Sequence, residues 1–503
     1  MTHAAHRVIA PAAFIASVAV AMSFVPQQQA SSPLAAAGAA ASNRITIGAT
    51  AFGAACMAEV PGVPMSLCFV PDASPEEVAK VTKRLQEMWA ADLAARDGGG
   101  DGGTSYQLGN RWNINGSSAT GQPVTLRWSM PADGLSISDG ITGGAASPNN
   151  LQATFTTKFG SVEAGKVLVR LCFAAWSDLT GITYTEVTDD NAAFGASGGT
   201  TRGDIRIVGR TFGATGVLAY TYYPNNGDMV FVTSNSNYWS AANNNRYFRN
   251  VFMHEHGHGI GIAHTCPVNQ TQLMEPYVTT AFDGPQTDDI RASQRFYGDR
   301  YELVNDSATT APAPFAADGT TTVSNVSIDD NLDVDWYKFD APAGAIVSVT
   351  VTPSGPTSYL SGPQNGDGSC SAGSAVAPRV VQNMAVSIYR GASGTTLVTS
   401  SDAAAAGNAE SILNYAMPAT DTYRIKVFPS TTTDDIQVYS LAFSIDPTPP
   451  IKGDFDGDGH VRGNDLGILL ASWGPVTCGN PYDLNDDCVI NGADMGILLS
   501  NWG

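Results

Sequence analysis

At 503 residues, with 26 Lys plus Arg against 46 Asp plus Glu, the chain carries a formal net charge of -20. That balance argues against nucleic acid and anionic membrane surfaces as electrostatic partners, and the length suits about three domains. Only 14% of residues are charged while Gly numbers 52, a composition typical of β-rich, loop-rich exported modules.

The chain opens with Arg7 and an apolar run from Val8 to Val25 interrupted by Pro11, which predicts a secretory signal peptide over residues 1–30. No later stretch is long and apolar enough to span a membrane. Export permits disulfides, and seven cysteines leave one odd. The local pairs Cys56 with Cys68 and Cys478 with Cys488 are the expected bridges, and Cys172 with Cys266 is a further candidate that would leave Cys370 free.

Residues 38–108 form an N-terminal region in which Ser74-Pro75-Glu76-Glu77 is a capping box opening a helix. From Arg111 the pattern turns α+β. Val124–Trp128 alternates as a strand should, and apolar residues recur at helical spacing from Gly165 to Leu179. Ile182–Val187, Asp204–Ile207, Val217–Tyr220 and Met229–Val232 complete a small sheet.

Four of the seven histidines fall within His254-Glu255-His256-Gly257-His258-Gly259-Ile260-Gly261-Ile262-Ala263-His264. On a helix reaching about Ile260, His254 and His258 stand four residues apart and share a face, so both can reach one ion. Gly261 tolerates the left-handed conformation that ends a helix, which lets the chain return His264 to the same ion. Three neutral imidazoles leave one position of a tetrahedral zinc for water, as in a catalytic site. Glu255 stands beside the metal without binding it, in the place of a general base. His256 falls on another face and reads as a surface or outer residue. Protonation of the ligands is expected to weaken zinc binding as pH falls through about 6.

The spacing H-E-x-x-H-x-x-G-x-x-H resembles the metzincin metallopeptidases, and Leu273-Met274-Glu275-Pro276 resembles their Met-turn. Thr287-Asp288-Asp289-Ile290-Arg291-Ala292-Ser293-Gln294-Arg295-Phe296-Tyr297-Gly298 is similar to the closing helix of the matrixin branch, so the resemblance covers residues 109–299. It implies an α+β metzincin-like catalytic domain, structural roles for Gly261 and Met274, and Pro276 and Tyr277 as walls of the substrate pocket. It also implies a pro-segment ahead of the domain, with Cys68 as a candidate switch beside the more ordinary disulfide. Where matrixins hold structural metals, this chain reads Leu218-Ala219-Tyr220-Thr221 and Val230-Phe231-Val232-Thr233, so a second histidine-bound zinc has no ligands.

Residues 301–447 become Thr-, Ser- and Val-rich with regularly spaced alternating runs, which predicts a β-sandwich. Asp333-Val334-Asp335-Trp336-Tyr337-Lys338-Phe339 and Asp421-Thr422-Tyr423-Arg424-Ile425 resemble pre-peptidase C-terminal domains. Substrate binding and a solubilising spacer are both open roles for it.

After the stiff Pro447-Thr448-Pro449-Pro450 linker, Gly467-Ile468-Leu469-Leu470-Ala471-Ser472-Trp473-Gly474 returns 29 residues later as Gly496-Ile497-Leu498-Leu499-Ser500-Asn501-Trp502-Gly503. Each copy follows a calcium-type loop. Asp454, Asp456, Asp458 and Asp465 occupy loop positions 1, 3, 5 and 12, and Asp483, Asn485, Asp487 and Asp494 repeat them, with Cys488 where the first loop has Gly459. Residues 451–503 thereby resemble a dockerin-like calcium-binding module, a small α unit whose partner would be cohesin-like or a cell surface. The whole reads as a multidomain, secreted zinc endopeptidase. A non-catalytic adhesion or scaffold protein, or a component of a dockerin-based polysaccharide-degrading assembly, are the alternatives.

Overall fold

The computed structural model describes residues 54–57, 65–69, 80–81, 83 and then 106–503, apart from 114–118, 140–143, 197–200, 213–216, 236–238, 366–368 and 448–450. The signal-type start and nearly all of the helix expected after Ser74 lie outside the described residues.

The first large sheet is built from β1 (Ala54–Met57), β2 (Met65–Phe69), β3 (Val124–Ser129), β6 (Ile182–Glu186), β7 (Ile205–Arg210), β8 (Val217–Tyr222), β9 (Met229–Val232) and β11 (Tyr277–Val278). A small ribbon of β4 (Ser136–Ile137) and β5 (Ser147–Pro148) stands apart, and β10 (Thr265–Cys266) joins a different sheet. The large sheet has the order β11-β1-β2-β8-β9-β7-β3-β6. Its centre is parallel, with β3 beside β6 and β7, and β7 beside β9. Every residue of β7 and β9 is buried, as strands covered on both faces must be.

Parallel neighbours need a crossover, and α1 (Leu151–Phe159) and α2 (Val162–Ser177) supply it between β3 and β6. α2 starts three residues before the apolar pattern, because the Ser161 hydroxyl accepts the Ala164 N–H at 3.0 Å and caps it. Its buried face holds Leu168, Val169, Cys172, Phe173 and Trp176. Cys172 is a free, buried thiol whose Sγ lies 3.7 Å from the Arg249 carbonyl oxygen. A Cys172–Cys266 bridge is therefore ruled out, and Cys266 bonds Cys370 instead.

β8 runs antiparallel to β9 and would be the edge of this sheet. The N-terminal strands cover it. β2 pairs antiparallel with β8, Ser66 opposite Thr221 and Leu67 opposite Tyr220, while β1 pairs with both β2 and β11. Cys56 and Cys68 face each other in the β1–β2 register, but their side chains lie outside the described residues.

Three further helices follow: α3 (Ala242–Gly259), α4 (Thr287–Tyr297) and the short α5 (Glu302–Asn305). Beyond them lie β12 (Gly319–Ile328), β13 (Asp335–Ala341), β14 (Ile346–Pro353), β15 (Tyr359–Pro363), β16 (Ser374–Val376), β17 (Met384–Arg390), β18 (Thr396–Ser401), β19 (Glu410–Ala416), β20 (Asp421–Pro429) and β21 (Gln437–Asp446). Two four-stranded sheets, β12-β21-β14-β19 and β13-β20-β17-β18, face each other. β14 alternates buried and half-buried residues along its length, so one face enters the core with Tyr337, Phe339, Ile425 and Phe443.

This sandwich packs against the first sheet's domain. Ile436 and Val438 join the core that holds α3, and Arg295 of α4 donates to the Asp329 carbonyl at 2.7 Å and to Asp434 at 2.8 Å. At the same seam burial and neighbouring carboxylates raise Glu302 and Asp329 above the ordinary carboxylate range.

The C-terminal part has its own small core of Val461, Leu469, Leu484, Ile490 and Leu498. Two short helices, α6 (Gly463–Ala471) and α7 (Gly492–Ser500), flank a ribbon of β22 (Gly474–Pro475) and β23 (Val489–Ile490). The Cys478–Cys488 disulfide closes the second loop, as its spacing suggests.

Candidate metal centre

α3 begins with a left-handed turn at Asn243, Asn244 and Asn245, so its regular part starts after them. From Phe248 onward it runs through the core, where Phe248 and Phe252 meet Phe231, and Phe252 also meets Phe173. One turn before His254, Asn250 donates to the carbonyls of Thr279 and Phe282 at 2.7 and 2.9 Å and accepts from the Gly284 N–H at 3.1 Å. The chain following the Met-turn is thereby tied to the helix.

The helix stops as Gly261 predicts. Gly261 has φ 98° and a Cβ there would lie 2.0 Å from the Asn110 carbonyl oxygen. Its N–H bonds the His258 carbonyl at 2.8 Å while the Ile262 N–H bonds that of Gly257 at 2.9 Å, the paired bonds of a Schellman end. The chain doubles back and His264 returns beside the helix.

His254, His258 and His264 present their Nε2 atoms to one another at 3.1, 3.1 and 3.2 Å. Each Nδ1 has an acceptor elsewhere: the Leu273 carbonyl at 2.6 Å, the Ile262 carbonyl at 2.8 Å and the Gln364 side-chain oxygen at 2.9 Å. An imidazole whose Nδ1 carries the proton has only a lone pair at Nε2. Three lone pairs therefore converge in a buried place with no proton between them, a donor set that a cation satisfies. Tetrahedral zinc with imidazole nitrogens at 2.0–2.1 Å needs them about 3.3 Å apart, so these residues fit it.

Burial lowers His254 to about 4 and His264 to about 3, and holds His258 well below the ordinary value. The imidazoles stay neutral well below pH 6, which moves the expected proton competition to lower pH than exposed histidines would give. Glu255 is fully buried on the same helix. Its Oε2 accepts the Thr221 hydroxyl at 2.9 Å, and its Oε1 has no hydrogen-bond partner among the described residues. Burial pushes this carboxyl up to about 8, with the Thr221 bond opposing the rise. A nearby cation lowers it again.

Met274 is buried where a Cβ on Gly257 would lie 2.3 Å from its sulfur. Glycine at 257 is what lets the turn reach the helix. Asp289 fixes that turn by accepting the Leu273 and Met274 N–H groups at 2.7 and 3.0 Å, and Glu275 accepts those of Asn269, Gln270, Thr271 and Gln272. Pro276 is buried, while Tyr277 is exposed on β11, next to β1. His256 corrects the reading of a surface residue. It is fully buried, its Nε2 lies 2.5 Å from the Tyr184 hydroxyl and its ring meets Phe173 edge-on, because the face opposite the metal packs on α2 and β6.

Elsewhere in the sheet Arg206 and Asp189 form a buried ion pair at 2.9 Å, with further bonds from the guanidinium to the Ala192 and Ala193 carbonyls. A fixed cation thus binds the loop after β6.

In the C-terminal part, Asp454, Asp456 and Asp465 bring carboxylate oxygens within 4.8 Å of one another. Asp458 instead accepts the His460 N–H at 2.9 Å. In the second loop Asp483 accepts the Cys488 N–H at 2.6 Å, Asp487 accepts the Asn485 side-chain amide at 2.9 Å, and Asp494 accepts the Leu484 and Asn491 N–H groups. Cys488 has φ 67° where Gly459 has 82°, so the loops turn alike despite the substitution.

Fold and site together resemble a matrixin region joined to a pre-peptidase C-terminal-type sandwich. Residues 151–298 match the matrixin family model and residues 333–429 that of the bacterial pre-peptidase C-terminal domain. Matrix metalloproteinase-18 of Xenopus laevis is 31% identical over 156 residues, covering 29% of this chain and 31% of that protein. The hatching enzyme of Paracentrotus lividus is 32% identical over 144 residues, 26% of this chain and 22% of that one. Serralysin A of Dickeya chrysanthemi is 27% identical over 209 residues, 37% and 40% respectively. The chain thus spans well under half the length of these relatives.

Proposed function

We propose that this protein is a secreted zinc-dependent endopeptidase, with His254, His258 and His264 as ligands and Glu255 as general base. The observation that carries the reading is the convergence of three Nε2 lone pairs at 3.1–3.2 Å, beside the glutamate Glu255, whose Oε1 has no hydrogen-bond partner among the described residues. Zinc held there supplies a Lewis acid that polarises the scissile carbonyl and lowers the pKa of a water toward about 7. Glu255 takes the water's proton at Oε1 and passes it to the leaving amine, while Thr221 holds its other oxygen in place. Elemental analysis of the purified chain is expected to give about one zinc, and His258→Ala to lose it. A zinc-free parent, or undiminished zinc in the variant, overturns the assignment.

The substrate strand would add to β8, whose Thr221 touches Glu255. That position is taken by β2, and β1 fills the space between β2 and β11, so the N-terminal strand pair acts as a latency segment that competes with substrate. Export is supported by the Cys266–Cys370 and Cys478–Cys488 disulfides, which need an oxidising compartment. Among the described residues no helix is long and apolar enough to cross a membrane.

The C-terminal repeat is assigned to two Ca²⁺ ions and, through exposed Leu470, Trp473, Leu499 and Trp502, to a cohesin-like or surface partner. Clustered carboxylates repel until a cation neutralises them. Calorimetric titration of the full chain should report two calcium sites, with Asp465→Ala and Asp494→Ala each removing one. Unchanged calcium uptake in both variants would remove this assignment.

A further inference from the structure

The third histidine differs from the other two in what holds it. His254 and His258 donate Nδ1–H to backbone carbonyls close in sequence, Leu273 and Ile262. His264 donates to the side chain of Gln364, 100 residues later and within the β-sandwich region. Between β14 and β17 the sandwich sends out a segment carrying β15 and β16, and this segment docks on the metal site. β15 pairs antiparallel with β10, the two residues directly after His264, placing Thr265 opposite Pro363 and Cys266 opposite Gly362. Gln364 then bridges to Cys370, and Cys370 is bonded to Cys266.

A second anchor lies on α4. The Tyr359 and Ser361 hydroxyls both donate to Asp288, the latter at 2.7 Å. Asp288 adjoins Asp289, which holds the Leu273–Met274 backbone. The close fit extends to Gly373, where a Cβ would lie 3.1 Å from the Pro267 Cδ. Gln364 is thus clamped on both sides, by a covalent bridge and by a pair of hydroxyl–carboxylate bonds, with its amide oxygen aimed at one nitrogen.

We propose that Gln364 is a positioning residue of the metal centre, and that the sandwich region completes the site by fixing the tautomer and ring direction of the third ligand. The proposal deepens the zinc reading and rests on it. His264 is 1% exposed, so without Gln364 its Nδ1–H loses an acceptor in a place that water reaches poorly, and the ring is free to rotate or to carry its proton on Nε2, where the metal should bind. Removing such an outer partner typically lowers metal affinity 10- to 100-fold. The sandwich then acts on the chemistry through one hydrogen bond, in addition to any role in placing substrate.

The test uses the full chain and measures zinc affinity by competition with a chromophoric chelator, for the parent, Gln364→Ala and Gln364→Glu. Gln364→Ala should bind zinc 10- to 100-fold more weakly with an unchanged melting temperature in the chelated state. Gln364→Glu keeps an acceptor and makes it anionic, so it should match the parent or bind more tightly. Cobalt substitution adds a reading of geometry, since the visible ligand-field bands should change in Gln364→Ala and not in Gln364→Glu. Equal affinities for parent and Gln364→Ala, within twofold, overturn the role while leaving the zinc reading intact. Equal losses in both variants would also overturn it, because they would show damage to packing and not a missing acceptor. A parent that binds no zinc overturns the zinc reading and this role with it.

Discussion

Glu255→Gln lowers peptide cleavage by about 10² to 10⁴ while zinc content and fold stay as in the parent. The substitution keeps the size of the side chain and an oxygen for the Thr221 hydroxyl, which now meets Oε2 at 2.9 Å. It removes the ability to accept a proton. Oε1, which has no hydrogen-bond partner among the described residues, is the oxygen assigned to the water, so the loss should fall on kcat more than on KM. Zinc measured on the same sample separates a missing base from a missing metal. A loss below about tenfold with zinc in place would show that Glu255 is not the base, and an inactive parent holding zinc, with its N-terminal segment removed, would favour an adhesion or scaffold role.

Cleavage of the chain between β2 and Tyr106 should raise activity toward dilute peptides by about tenfold or more. A tethered strand competes at an effective concentration on the order of 1 mM, far above a micromolar substrate. Because β2 takes the edge of β8 that the substrate strand would use, the gain should appear as a lower KM at an unchanged kcat. A thiol on the metal would instead abolish turnover at every substrate concentration, and Cys68→Ala in the intact chain distinguishes the two. Equal KM before and after trimming, with the freed segment removed, would end the latency reading.

Much of the centre was legible because its information is local. The i, i+4 pair His254 and His258, the stop at Gly261 and the return of His264 follow from helix geometry alone, and the structure brings these three rings together. The alternating runs likewise anticipated β3, β14 and β21. Three kinds of feature were not legible. Gln364 lies 100 residues from the ring it serves, and no spacing rule links a loop glutamine to a distant histidine. His256 looked solvent-facing because a polar residue opposite a metal face usually is; here that face is covered by Phe173 and Tyr184. The cysteine pairing failed for Cys172 since apolar burial on α2 already accounts for it, while the true partner of Cys266 came from the second domain. Asp289 and Glu275 were visible as letters in the motif, but only the folded backbone shows that their carboxylates collect the N–H groups around Met274.

The Cys266–Cys370 bridge joins residues 104 positions apart and begins two residues after His264. A peptidase stored at high concentration is exposed to its own activity, and long surface connections are where such nicks collect. Any single cut between residues 267 and 369 leaves both fragments joined through sulfur, with His264 and Gln364 on opposite sides of the break or on the same one but in either case held at the same seam. Self-digestion in that interval would therefore be silent on a non-reducing gel and evident only after reduction.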